Sequence, residues 1–64
     1  MKGAVMERFR MFGNSVRAMM FALWCDRNGI KVTGQKMYGT GAMEVTYIAT
    51  AKQEATIPQG FRKM

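Results

Sequence analysis

From Val16 to Cys25 the chain reads V-R-A-M-M-F-A-L-W-C, and Arg17 is the only polar residue in the run. A surface helix needs one apolar stripe, whereas a helix built from this segment is apolar nearly all round. In a large protein it would lie at the centre, but this sequence has 64 residues. A chain of that size buries only about 60% of the surface it exposes unfolded. Either its own hairpin and tail enclose the segment, or a second chain or a partner covers it, and the second arrangement is the more economical. Met11, Met19, Met20, Phe21, Leu23 and Trp24 are the expected contact residues. Methionine suits adaptable interfaces, although methionine stripes also fill ordinary cores.

Composition narrows the chemistry. One cysteine cannot form an internal disulfide, and no histidine is present. Four scattered carboxylates add too little for a zinc, calcium or two-carboxylate catalytic site within one copy. The expectation is a binding protein without catalysis or cofactor. With 48% apolar and 22% charged residues the chain should fold. The longest uncharged stretch of its first half, Ala18 to Cys25, falls far short of the ~20 residues a spanning helix needs. Glu7, Arg8 and Arg10 interrupt the place where the apolar part of a secretory signal would lie. The expected compartment is the cytoplasm, with Cys25 a reduced, packed thiol.

Local patterns give an α+β outline. Val5, Met6, Phe9 and Phe12 recur at helical spacing and predict a first helix over Gly3 to Phe12. Gly13-Asn14-Ser15 supplies a breaker and capping residues for a second helix from about Val16 to Asp26 or Arg27, ended by Asn28-Gly29. One continuous helix bent at Gly13 is the alternative. Ile30 to Thr33 and Met43 to Thr50 read as strands around a Gly39-Thr40-Gly41 tip, with a bulge or bend at Gly34. Setting Tyr38 opposite Ala42 pairs Lys36 with Glu44, Met37 with Met43 and Val32 with Ile48. Ile30, Val32 and Ile48 then share one face, and Met37, Met43, Val45 and Tyr47 the other. Such a hairpin cannot hide both faces under one helix. The tail from Ala51 to Met64 reads as mostly irregular, with Thr56-Ile57 adding a short strand before Pro58, and the expected division is a domain over residues 1–57 and a basic arm over 58–64.

Ten Lys or Arg against four Asp or Glu give a net charge of +6, contributed along the whole chain. Such an excess on a small surface favours an anionic partner, a nucleic acid or an acidic protein that handles one, unless it serves solubility alone. Arg17, Arg27, Lys31, Lys36 and Lys52 are the expected phosphate contacts.

Ser15-Val16-Arg17 opening a helix, Leu23 late in it, Asn28-Gly29-Ile30 closing it and a hairpin ending in Val45-Thr46-Tyr47 together resemble the last half of a winged helix-turn-helix domain, over about residues 14 to 50. The resemblance implies a recognition helix followed by a glycine-tipped wing. Gly41-Ala42-Met43-Glu44-Val45-Thr46, beside Arg27 and Ile30, is also similar to the wing of small host-takeover proteins of T7-like phages that act on bacterial RNA polymerase. Base readers need polar side chains, and this helix offers Arg17 and Arg27 alone. The sequence therefore predicts a small α+β module, one or two N-terminal helices packed on a hairpin, partly winged-helix-like and self-associating as a homo-oligomer. It would engage nucleic acid or the machinery bound to it. The alternatives are an inhibitor docked on a host enzyme such as RNA polymerase, a nuclease or a CRISPR effector, and an assembly subunit of a larger particle.

Overall fold

A computed structural model describes residues 4–62. Strand β1 (Met6–Phe12) leads through Gly13 into helix α1 (Ser15–Arg27), which is followed by strands β2 (Lys31–Met37) and β3 (Met43–Ala49), helix α2 (Ala51–Ala55) and a 3-10 turn over Gln59–Phe61. The three strands form one antiparallel sheet in the order β1-β3-β2. This is an α+β fold, with the helices on one face of the sheet.

Helix α1 begins and ends where its caps demand. The Asn14 side chain accepts the Arg17 N–H at 2.9 Å, satisfying one of the free donors of the first turn. At the other end Gly29 takes φ 73°, while the Gly29 and Ile30 amides donate back to the Asp26 and Cys25 carbonyls at 3.4 and 2.9 Å. That left-handed exit with paired return bonds stops the helix, and it delivers Ile30 into the core beside Cys25.

The first predicted helix is a strand instead. Met6 to Phe12 pairs along its whole length with β3, from Met6 opposite Ala49 to Phe12 opposite Met43. Helical spacing of four apolar residues was outweighed by the demand of β3, whose backbone needs partners on both sides because Val45, Tyr47 and Ala49 are all buried. The alternative of one helix bent at Gly13 falls with it.

At the hairpin tip the Tyr38 amide donates to Ala42 at 2.9 Å and the Gly41 amide to Tyr38 at 2.9 Å, with Gly41 at φ 92°. Lys36 faces Glu44 and Met37 faces Met43, as the sequence predicts. Farther along, an extra residue between Val32 and Gly34 shifts the register, so that Val32 faces Tyr47 and Lys31 faces Ile48. The predicted pairing of Val32 with Ile48 and their shared face are therefore corrected: Val32 joins the covered face and Ile48 the open one.

The segment after β3 is ordered rather than an irregular arm. Thr50 and Gln53 form a reciprocal capping box that starts α2, with bonds of 3.0 and 2.9 Å. No strand forms at Thr56-Ile57; Ile57 is buried in the core, and Phe61 packs against it from the 3-10 turn. Residues 58–62 thus belong to the folded body, while 63–64 lie outside the described residues.

Phe21 is the hub of the core. Its ring lies 5.2 Å from Phe12, 5.2 Å from Tyr47 and 5.4 Å from Phe61, the last two edge-on, and it stacks on Trp24 at 6.3 Å. Edge-to-face and offset pairs each add about 0.5–1.5 kcal/mol beyond area burial, so one ring ties β1, β3 and the C-terminal turn to α1. Among the described residues no helix covers the far side of the sheet, which carries Phe9, Met11, Thr46 and Ile48.

Candidate functional site: a basic edge and an apolar helix face

The arginines of β1 acquire their setting from strand alternation. Arg8, Arg10 and Phe12 project to the helix-covered side, opposite Tyr47, Val45 and Met43. Phe12 is fully buried there, while the arginines lie nearer the margin and reach toward α2. The Arg10 guanidinium donates through Nε to the Tyr47 hydroxyl at 3.1 Å and pairs through its terminal nitrogen with Glu54. The Tyr47 hydroxyl donates to the other Glu54 oxygen at 2.6 Å. Burial pushes the Tyr47 phenol up to about 12, helped by its bond to Glu54. Burial alone would raise the Glu54 carboxyl, but the Tyr47 hydroxyl and the Arg10 and Arg8 charges outweigh it and hold the group below its ordinary value.

Two cations act on this carboxylate, Arg10 directly and Arg8 through space, and others nearby in the chain are held by main-chain oxygens or by none. Arg62 donates to the Glu54 carbonyl at 3.0 Å and the Ile57 carbonyl at 3.3 Å, and Arg8 donates to the Ala49 carbonyl at 3.2 Å. Lys52 stands exposed on α2. Among the described residues the one salt bridge is Arg10–Glu54, which leaves Arg8, Lys52 and Arg62 without a carboxylate partner. Arg8 and Arg62 are thus fixed on backbone carbonyls with their charge unneutralised, an arrangement suited to phosphate oxygens.

The open sheet face differs. Lys31 and Lys36 of β2 lie on it, but so do Glu7 and Glu44, and the charges cancel. Lys36 sits over the Tyr38 ring at 5.2 Å, and the Tyr38 hydroxyl donates to Glu44, which raises the phenol's pKa. Phe9, 65% exposed, is the large apolar side chain left bare there.

The five cations singled out in the sequence do not form one site. Lys31 and Lys36 share the open face, Arg27 is exposed in the last turn of α1, and Lys52 is exposed on α2. Arg17 turns toward the C-terminal turn and donates to the Gly60 carbonyl. The residues missed were Arg8, Arg10 and Arg62. Read as a helix, the first segment set its arginines on a solvent face; the two-residue step between Arg8, Arg10 and Phe12 was the available signal.

The predicted contact residues of α1 divide by face. Phe21, expected at a contact surface, is 0% exposed and is core. Trp24 is half-buried between Phe21 and Phe61, and Met11 lies half-buried on the sheet's open face. Val16, Met19, Met20 and Leu23 stand more than half exposed along the outer side of α1. Cys25 is buried as a free thiol, and desolvation pushes it up to about 11. Among the described residues no helix is long and apolar enough to cross a membrane. No family model, curated protein or solved structure matches the chain.

Proposed function

We propose that this chain is a small non-enzymatic module that binds nucleic acid through its phosphate backbone, using the edge formed by Arg8, Arg10, Lys52 and Arg62, and thereby engages nucleic-acid-bound machinery. The observation that carries the reading is that Arg8 and Arg10 share one carboxylate, Glu54, while Arg62 is held on the Glu54 main-chain carbonyl with no carboxylate of its own, on a chain of net charge +6. Arginine forks match phosphate geometry, and their anchoring to main-chain carbonyls lowers the entropy lost on binding.

The outer face of α1 argues against base reading by that helix. A recognition helix presents polar side chains to base edges, and the outward residues from Val16 to Leu23 are apolar. In this reading α1 is a protein-contact surface and not a recognition helix. Arg27 and Lys31, close in sequence at the junction of α1 and β2, are available for further phosphate contacts.

A titration with a labelled duplex and a labelled single strand over a salt series tests the proposal. With about three phosphates neutralised, log K should fall against log salt with a slope near −2 to −3. The double variant Arg8→Gln/Arg62→Gln should bind more weakly at all sequences and flatten that slope. Binding that ignores salt, or a double variant identical to the original, would remove the basic edge from the account.

A further inference from the structure

The outer face of α1 has relief as well as apolarity. Between α1 and β2 runs a groove of about 450 Å³, walled by Val16, Met19 and Leu23 on the helix and by Gln35 and Met43 on the sheet. A second, shallower cleft of about 220 Å³ lies on α1 itself, between Met20, Leu23, Trp24 and Arg27. Leu23 borders both. The helix therefore presents a ridge at Leu23 between an uncharged groove and a smaller cleft that ends at Arg27.

We infer that this face binds a second copy of the chain, the two α1 helices packing antiparallel about a two-fold axis with the ridge of each seated in the groove of the other. Such an interface must be complementary to itself, and a ridge beside a groove of matching apolar lining meets that condition. Charge favours the same occupant. The α1–β2 groove is lined by uncharged residues throughout, Ser15 and Gln35 being its polar members, so two copies of a strongly basic chain approach there without opposing like charges. An acidic partner drawn by the net charge would find no cation in that groove. Antiparallel packing also keeps the two Arg27 side chains at opposite ends of the interface.

The area is adequate. Val16 is 58% exposed, Met19 56%, Met20 53% and Leu23 55%, and Met37, on the same side of the sheet, 67%. Together they offer roughly 500 Å² of apolar surface, at the upper end of what a monomer ordinarily leaves bare. Specific interfaces begin at about 600 Å² per partner, a size this face reaches with Ser15 and Gln35 of the groove added. Pairing through the β2 edge is disfavoured by the bulge at Val32/Gly34 and by Lys31 and Lys36, features that deter strand addition.

Sedimentation velocity from micromolar to millimolar chain concentration tests this in 0.5 M salt, which strips bound polyanions and separates the result from nucleic-acid binding. The unmodified chain should pass from monomer to dimer. Leu23→Arg and Met20→Glu, both at exposed positions, should keep the far-ultraviolet circular dichroism of the fold and dimerise at least tenfold more weakly. Phe9→Arg on the open sheet face should dimerise unchanged. A monomer at every concentration overturns the inference, as does a dimer abolished by Phe9→Arg and untouched by both α1 variants.

Discussion

Two residues of α1, two positions apart, should respond in opposite ways to truncation. Phe21 is fully enclosed by Phe12, Tyr47, Trp24 and Phe61, whereas Leu23 is 55% exposed. Phe21→Ala removes a ring from a packed aromatic cluster and leaves a cavity, which costs about 3–5 kcal/mol. At about 0.05–0.15 kcal/mol per residue, a 64-residue chain has roughly 3–10 kcal/mol in all. The variant should therefore lose around half its stability or fail to fold. Leu23→Ala gives up packing on one side only and gains slightly in helix propensity, so its cost should stay below about 1 kcal/mol. Trp24 is the single tryptophan and stacks on Phe21, which makes its fluorescence a direct reporter of the cluster. Urea unfolding at sub-micromolar concentration, followed by that signal and by circular dichroism, measures both. Equal losses for the two variants would refute the division of α1 into an inner and an outer face.

Other expectations follow from the same contacts. Glu54 is held below its unfolded value, so its contribution is present above the ordinary carboxylate range and lost as pH falls through its folded value; Glu54→Gln should flatten the acid limb of a stability-versus-pH curve. Cys25 is raised to about 11 from 9.0, so the stability it confers is whole below pH 9 and declines as pH climbs toward 11. Its thiol should resist alkylation in the folded chain and react once urea unfolds it, and rapid native labelling at pH 8 would contradict its burial. Thr50→Ala removes one half of the α2 capping box and should cost about 1 kcal/mol, read as a shift in urea midpoint.

The legible part of the fold was that governed by local chemistry. Asn14 and Asn28-Gly29 marked the ends of α1, and Gly39-Thr40-Gly41 marked the hairpin tip, because caps and tight turns depend on a few neighbouring residues. Thr50 and Gln53 carried an equally local signature of α2 that went unread. The first strand was hidden for a different reason. Met6 to Phe12 places apolar residues on both faces, so the two-residue step of Arg8, Arg10 and Phe12 does not stand out as a hydrophobic alternation, and the strand is set by the unsatisfied edge of a partner more than thirty residues away. The basic edge went unseen for the same cause, since Arg8 and Arg10 come to Glu54 only once that strand is paired. The outward apolar face of α1 was foreseeable from Val16 to Cys25 as a whole, but the choice of which residues turn inward required the sheet.

Amide chemical shifts of the isotopically labelled chain, followed while a short duplex is added at low salt, bear most directly on the division of labour proposed for this molecule. Perturbations should cluster at Arg8, Arg10, Lys52 and Arg62 and spare Val16 to Leu23. Shifts concentrated along the outer face of α1, with the α2 edge silent, would mean that the helix itself meets the nucleic acid and that the basic edge has another purpose.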